Sequence, residues 1–424
     1  MTTRRTVTGT TAAAAVLLCV AAACAVAEAR VDLKCAAGEQ HPIVFFPGLF
    51  GSRLEERLNI PADVPMPSAK CLRTTSGWEP AWVEWKKMLP PANFDCFCER
   101  MRMHIDPAVR ASTNIEGVEV RVPHWGTVAS VDPLSAELGN IVRMYGPAMD
   151  TLKRMGYEEN RTLFVAAYDW RRMPTPQWLA DVRAMIEGAV QRSGKKAVVF
   201  SHSMGGPMSY MFLMAQTADW RAKYIHHYIP VSPVWSGTAI IPYAMVTNKI
   251  FNISGPYSQI GRLFRDLEGL YVLAPSVVFD PDTVIATTNV HTYTAANLSL
   301  LLERVGVRNA DTITRNVQHL LNKYDYEHPG VPVTTIWSVS SQCLGSFHWK
   351  HDKDVGVQEP LPTIIEGDWL VPRASLEYAY KRWSSGPHAG LTRGFPLNKS
   401  NHASSTNDDR TMKLVFQAAC DAAN

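Results

Sequence analysis

Continuous apolar runs, each closed by small or polar residues, dominate the pattern of the first half of the chain. Residues 41–46 form one such run, and the turn-prone residues 47–51 close it, which predicts a buried strand entering a loop. The alternation of apolar and polar residues over 118–122 predicts a short strand. Further buried strands are predicted over 163–167, 197–201, 228–232 and 333–339.

Helical periodicity falls between these runs. It covers 134–155, with an interruption at 146–147, and 178–191, follows directly after the run at 197–201, and returns at 414–420. Strands that alternate with helices predict a mainly parallel α/β sheet. From about 238 to 330 the pattern is irregular and helix-leaning, which indicates an inserted cap.

Composition and the first residues narrow the class of protein. With 424 residues, 46% hydrophobic and 19% charged, the chain is typical of a globular protein, and a net charge of +3 gives no reason to expect nucleic-acid binding. Arg4 and Arg5 precede the apolar run 12–26, and small residues follow, so residues 1–27 are predicted to be a secretory signal peptide. The alternative is an uncleaved anchor, for which the run is short and weakly hydrophobic.

Cysteines and glycosylation sequons agree with a secretory route. Of eight cysteines, Cys19 and Cys24 lie in the signal, and an oxidising compartment favours disulfides among the other six without fixing which pair. Those six are Cys35, Cys71, Cys96, Cys98, Cys343 and Cys420. Asn-x-Ser/Thr sequons lie at Asn160, Asn252, Asn297 and Asn398.

The strand predicted at 197–201 ends in a small-x-Ser-x-Gly sequence centred on Ser203 and followed by a helix. This is the context of a nucleophile elbow, in which a sharp turn exposes the serine hydroxyl at the end of a sheet. Ser201 replaces the usual leading glycine and is also small. The competing interpretation is an ordinary glycine-rich turn after a buried strand.

A nucleophilic serine needs a base, an orienting carboxylate and donors for an oxyanion. Asp368 lies on a turn after an apolar stretch, and either His388 or His402 could follow it as the base, with His402 preferred because it precedes the last helix. Backbone N–H groups of Met204, next to the nucleophile, and of Leu49, after the first strand, are the candidate oxyanion donors.

Five motifs in one order resemble the lecithin:cholesterol acyltransferase and lysosomal phospholipase A family over residues 41–420. The resemblance implies an α/β-hydrolase core in 41–235 and 333–420, with a cap insertion at 236–332. It also implies Ser203 as nucleophile, Asp368 as orienting acid and His402 as base, with Leu49 and Met204 as oxyanion donors. The motifs are 43–54 (IVFFPGLFGSRL), 168–171 (YDWR), 201–205 (SHSMG), 232–237 (SPVWSG) and 367–371 (GDWLV).

The resemblance further implies a lid loop over 71–98 that is closed by a Cys71–Cys96 disulfide. Within it Trp78, Trp82 and Trp85 are spaced to share one face of a helix, which suits docking on a lipid surface. A helix packed on the core by the same tryptophans is the alternative. The family's second disulfide has no matching cysteines here, and a Cys343–Cys420 bond is one substitute.

The predicted function is therefore that of a serine-dependent phospholipid acyl hydrolase or O-acyltransferase, which works at membrane surfaces through an acyl-enzyme. Water and an alcohol such as a sterol remain open as acyl acceptors, and phosphatidylcholine-sterol O-acyltransferase is the first alternative. A soluble carboxylesterase and an inactive lipid-binding protein are further alternatives. We expect no cofactor or metal, and His348 and His351 beside Asp352 are interpreted as a polar loop. The expected partner is a membrane or lipoprotein-like surface, and the expected state is a lysosomal or secreted monomer.

Overall fold

A six-stranded parallel sheet forms the centre of the computed structural model, which describes residues 33–84, 87, 91–106, 111–135, 137, 143–250 and 261–421. The predicted signal peptide therefore lies outside the described residues. The strands of the described residues are β1 (Ile43–Phe46), β2 (Leu54–Leu58), β3 (Glu79–Trp82), β4 (Met103–Asp106), β5 (Ala111–Asn114), β6 (Val118–Arg121), β7 (Leu163–Val165), β8 (Ala197–His202), β9 (Ile225–Val231), β10 (Val284–Thr287), β11 (Thr292–Thr294), β12 (Val333–Ser338), β13 (Ser341–His348), β14 (Leu361–Gly367) and β15 (Thr392–Leu397).

The central sheet has the strand order β15-β12-β9-β8-β1-β7, and all of its pairs are parallel. Both of its faces are covered, which explains why β1 is apolar throughout rather than alternating. Ile43 and Phe45 belong to the core layer on one face, and Val44 and Phe46 belong to the layer on the other. The predicted strands at 41–46, 163–167, 197–201, 228–232 and 333–339 are all confirmed, within a few residues.

Helices pack against this sheet. The helix predicted at 178–191 is confirmed within Pro176–Ser193, where the Thr175 hydroxyl caps the first turn. The closing helix begins earlier than predicted because Asp408 caps it. In the part of the chain that the structure describes, the α-helices are α1 (Pro91–Met101), α2 (Gly146–Arg154), α3 (Pro176–Ser193), α4 (Gly205–Met214), α5 (Ala218–Tyr224), α6 (Ile240–Thr247), α7 (Gly261–Phe264), α8 (Glu268–Tyr271), α9 (Leu298–Arg304), α10 (Ala310–Asn322), α11 (Arg373–Trp383) and α12 (Asp409–Ala419).

A second, mixed sheet lies outside the central one. It has the order β11-β10-β13-β14, so the described part of 236–332 contributes its strands to this sheet rather than to the six-stranded one. An inserted cap would also place its strands outside the central sheet. The domain boundaries at 235 and 332 stay a prediction. Within the described ranges, no helix is both long and apolar enough to cross a membrane.

Candidate active site

The carboxyl-terminal edge of the central sheet gathers the predicted site residues. Ser203 follows β8, the 47–49 loop follows β1, and His402 follows β15 a few residues on. In parallel α/β sheets this edge is where ligands bind. The fold and strand order thus bring together residues that are about 200 positions apart in the chain.

Ser203 lies on a strained turn between β8 and α4. Its φ is +55°, in the left-handed region that non-glycine residues rarely occupy. A Cβ on Gly205 would lie 2.2 Å from the Phe46 carbonyl oxygen, and one on Gly206 would lie 2.6 Å from Pro233 Cβ. Only glycine permits strand and helix to pass this closely, which is the geometry of a nucleophile elbow.

Ser203, His402 and Asp368 form one hydrogen-bonded line. His402 Nε2 lies 2.8 Å from Ser203 Oγ, and His402 Nδ1 lies 2.7 Å from Asp368 Oδ2. The three residues are 8%, 4% and 0% exposed, respectively. With Nδ1–H donating to the carboxylate, Nε2 is left to accept the serine proton, which is the arrangement of a general base.

The backbone holds Asp368 in a fixed orientation. Its Oδ1 accepts the N–H groups of Val371 at 2.8 Å and Leu370 at 3.2 Å, which leaves Oδ2 for the histidine. The Asp368 carbonyl oxygen also accepts the His402 N–H at 2.8 Å, so two loops that carry the site are joined directly. His388, the other candidate base, is exposed and stacks on His328 at 5.0 Å between ring centroids. The structure therefore brings His402, and not His388, to Ser203.

The 47–49 loop packs against the elbow. A Cβ on Gly48 would lie 2.9 Å from Ser203 Cβ, so only glycine allows this approach. Leu49 is partly buried, and Met204 is fully buried at the start of α4. Their N–H groups make no hydrogen bond within the part of the chain that the structure describes. Among the same residues, no cluster of three or more His, Cys, Asp or Glu side chains is placed to hold a metal ion.

Comparison with known proteins identifies the family of this chain. The family model for lecithin:cholesterol acyltransferase matches residues 79–319, which is more than half of the chain. The chain belongs to the lecithin:cholesterol acyltransferase family. Among solved structures, the Tle4-Tli4 complex contains a chain with the same fold, at a TM-score of 0.54 and 14% identity, covering 89% of this chain and 97% of that one.

Curated members of the lecithin:cholesterol acyltransferase family cover most of the chain. Lysosomal phospholipase A and acyltransferase of Homo sapiens is 26% identical over 365 residues, which is 85% of this chain and 86% of that protein. Lecithin-cholesterol acyltransferase-like 1 of Arabidopsis thaliana is 27% identical over 70% of this chain and 73% of that protein. Phosphatidylcholine-sterol acyltransferase of Gallus gallus is 25% identical over 81% of each chain. The protein is accordingly an acyl ester hydrolase or O-acyltransferase with an α/β-hydrolase fold.

The lid disulfide inferred from the family is confirmed. Cys71 and Cys96 are bonded, which ties the segment before β3 to α1. Cys98, two residues further along α1, is a free thiol. Burial, followed by the nearby Asp95 carboxylate, raises the pKa of Cys98 to about 12, so this thiol is not a reactive nucleophile at neutral pH.

The tryptophan helix predicted for the lid is wrong in its described part. Residues 79–82 instead form β3, an edge strand that pairs with β2 and in which Pro80 can be accommodated. Trp82 is 3% exposed and therefore lies in the core, where its Nε1–H donates to the Phe50 carbonyl oxygen at 2.8 Å. Trp78 packs against the guanidinium groups of Arg57 and Arg121, whose Cζ atoms lie 5.0 and 4.4 Å from the centre of its ring. Trp85 lies outside the described residues.

The remaining cysteines correct another prediction. Cys420 pairs with Cys35, not with Cys343. Cys343 is a buried free thiol on β13, and burial together with the Asp368 carboxylate raises its pKa to about 12. The spacing of cysteines could not reveal the Cys35 pair, because only the folded sheet brings the two ends of the chain together.

The sequons differ in their surroundings. Asn160 and Asn398 are exposed, and Asn252 lies outside the described residues. The Asn297 side chain is half-buried and accepts the Thr294 N–H at 2.6 Å in a capping box. A glycan would attach to Asn297 Nδ2, which donates to the Thr292 carbonyl oxygen at 3.3 Å, and would leave the Oδ1 acceptor in place. Asn160, Asn297 and Asn398 therefore remain predicted glycosylation sites.

Proposed function

We propose that the protein is a serine-dependent phospholipid acyl hydrolase and O-acyltransferase that works through an acyl-enzyme. The observation that carries this proposal is the hydrogen-bonded line from Ser203 through His402 to Asp368. The family relationship supplies the substrate class, since the human relative is named a phospholipase A and acyltransferase. Lipid ester carbonyls are the electrophiles that such a line of groups is suited to attack.

In this mechanism His402 takes the Ser203 proton as Oγ attacks the ester carbonyl carbon. The Leu49 and Met204 N–H groups donate hydrogen bonds to the carbonyl oxygen as it becomes negatively charged. His402 then gives the proton to the departing lysophospholipid oxygen. The acyl group stays on Ser203 until water or an alcohol, deprotonated by His402, attacks its carbonyl carbon. The bond to Ser203 Oγ then breaks, and His402 returns the proton to that oxygen as the fatty acid or new ester leaves. Asp368 orients His402 and stabilises its positive charge throughout.

The acyl acceptor and the cellular location complete the proposal. Two kinds of relative differ in acceptor, since the Gallus gallus protein is named a phosphatidylcholine-sterol acyltransferase. We propose that both water and a long-chain alcohol can discharge the acyl-enzyme, at a phospholipid surface, in the lysosome or outside the cell. Residues 236–332 would act as the cap over this site, inserted between two parts of the core.

Replacing Ser203 with alanine tests the proposal. Ser203→Ala should abolish labelling by a fluorophosphonate probe and acyl release from phosphatidylcholine liposomes, because it removes the attacking oxygen. His402→Ala should cost several orders of magnitude in turnover, while His388→Ala, a matched histidine on an exposed loop, should keep it. Product analysis with and without added sterol or long-chain alcohol separates hydrolysis from acyl transfer. Labelling of the alanine variant would refute the nucleophile, and unchanged turnover in His402→Ala would refute the base.

A further inference from the structure

Two buried tyrosines hold a single peptide unit beside the nucleophile. Tyr168 Oη–H donates to the Pro47 carbonyl oxygen at 2.7 Å, and the Gly48 N–H donates to Tyr145 Oη at 2.7 Å. These are the two polar ends of the same planar peptide group, which can rotate only as one body. The phenol rings are 3% and 0% exposed, so water does not compete for either bond.

The next peptide unit is held as well. The Gly48 carbonyl oxygen accepts the Gly51 N–H at 3.0 Å. In a trans peptide the C=O and N–H point in opposite directions, so this bond turns the Leu49 N–H away from Gly51. The direction of the Leu49 N–H therefore depends on the orientation of the Pro47–Gly48 unit before it and on the turn after it.

Tyr145 and His202 connect the Gly48 N–H, which can only donate, to the His402 carbonyl oxygen, which can only accept. These two ends determine which atoms carry the hydrogens between them. Because the Gly48 N–H can only donate, Tyr145 Oη accepts there and can donate its own proton to His202 Nδ1, 2.9 Å away. His202 then carries its proton on Nε2, which lies 2.9 Å from the His402 carbonyl oxygen, an acceptor only. The network thus runs from the 47–49 loop to the backbone of the histidine in the site.

We propose that Tyr145 and Tyr168 are positioning residues for the oxyanion hole, acting through the Pro47–Gly48 peptide on the Leu49 N–H. The inference rests on the proposed function, since it assumes that Leu49 receives the oxyanion. Neither phenol touches the reacting atoms in this scheme. Each fixes the direction of a donor whose stabilising effect appears only when charge develops on the ester oxygen.

A phenylalanine at either position keeps the ring and removes only the hydroxyl. Tyr145→Phe also leaves the Gly48 N–H and His202 Nδ1 without their partner, which loosens the loop. We expect each variant to lower kcat on a short soluble ester by about tenfold or more, with KM changed by less than about threefold. The double variant should lose less than the product of the two single losses, because both hydroxyls act on one peptide.

Tyr157→Phe is the matched control. Tyr157 is also buried, and its hydroxyl donates to a carbonyl oxygen, that of Ala419, remote from Ser203 in the chain and outside the network. Tyr157→Phe should lose about as much thermal stability as Tyr145→Phe and Tyr168→Phe, but its kcat should stay that of wild type. Turnover is expressed per serine titrated by the fluorophosphonate, so that incompletely folded protein does not contribute.

A tetrahedral analogue separates positioning from a purely structural role. The inhibition constant of an alkyl trifluoromethyl ketone should rise in Tyr145→Phe and Tyr168→Phe by about the factor lost in kcat, since its adduct carries the oxyanion. Unchanged kcat and inhibition constant, or equal losses in Tyr157→Phe, would overturn the proposal. If the wild-type protein releases no acyl chain and is not labelled, the proposed function itself fails. If Ser203 is labelled and active while the phenylalanine variants equal wild type, only the tyrosine proposal fails.

Discussion

His202 shows how one side chain in the elbow can carry a role that the motif alone does not reveal. In the sequence His202 only occupies the unspecified position before Ser203 in the small-x-Ser-x-Gly motif. In the structure it is 5% exposed and links Tyr145 to the backbone of His402. Burial, followed by repulsion from His402, lowers the pKa of His202 to about 3. It therefore stays neutral, with the single proton that the network requires, even in an acidic compartment.

The lowered pKa of His202 predicts a pH-dependent contribution to stability. The ordinary pKa of histidine, about 6.5, applies to the unfolded chain, so as pH falls below 6.5 the unfolded state takes up a proton that the folded state does not. The stability from neutral His202 is thus complete above pH 6.5 and is lost as pH falls towards 3. We expect the free energy of unfolding of His202→Gln, measured by urea denaturation, to approach that of wild type between pH 6.5 and 4, by up to about 1.4 kcal/mol per pH unit. A difference that stays constant with pH would contradict this.

At the scale of secondary-structure elements, strands with continuous apolar runs could be predicted, and the lid could not. The run at 43–46 is apolar on both faces, and no other element satisfies that pattern as simply. The tryptophan spacing from Trp78 onward suggested a helix, but residues 79–82 pair with β2 as an edge strand. Trp82 packs on Phe50 and Trp170. Periodicity in a short segment cannot distinguish a lipid-facing row from residues that enter the core separately.

Trp82 and Trp78 make a matched pair of predictions. Trp82→Ala removes a buried indole and should lower the free energy of unfolding by about 3–5 kcal/mol. Because Phe50 borders the 47–49 loop, turnover of a soluble ester and of phospholipid vesicles should fall by the same factor. Trp78→Ala should lower the free energy of unfolding by less than about 1 kcal/mol, since the Trp78 indole is only partly buried and packs against two arginines. Selective loss of vesicle binding in Trp82→Ala would restore the docking role to this residue.

Over the whole molecule, the triad could be assigned in order and the disulfides only in part. The order of serine, acid and histidine along the chain is a property of the α/β-hydrolase fold, but His388 and His402 both satisfy it. Choosing His402 required its position before the last helix and the family resemblance as well. The Cys35–Cys420 bond joins residues 385 positions apart. It depends on Gln40 pairing with Cys420 at the end of the chain, a tertiary contact that no local pattern reports.

Removing the Cys35–Cys420 bond should destabilise the whole molecule without changing its chemistry. The bond closes a loop of almost the entire chain, so its loss increases the entropy of the unfolded state, and Cys35→Ser with Cys420→Ser should lower the free energy of unfolding by about 2–5 kcal/mol. Turnover per titrated serine should be unchanged, because the bond lies beyond the amino-terminal end of β1, opposite the site. Cys98→Ser, at a free thiol, is the control. A loss of turnover at full folding would contradict this prediction.

The same bond makes residues 35–420 a closed covalent ring. A protease that cuts once at any exposed turn of this ring opens it without releasing a fragment, because the two pieces remain linked through the sulfur atoms. The nicked molecule would migrate as two bands only after reduction. A single cut within 236–332, the proposed cap, would therefore loosen that segment while leaving the central sheet in one connected piece.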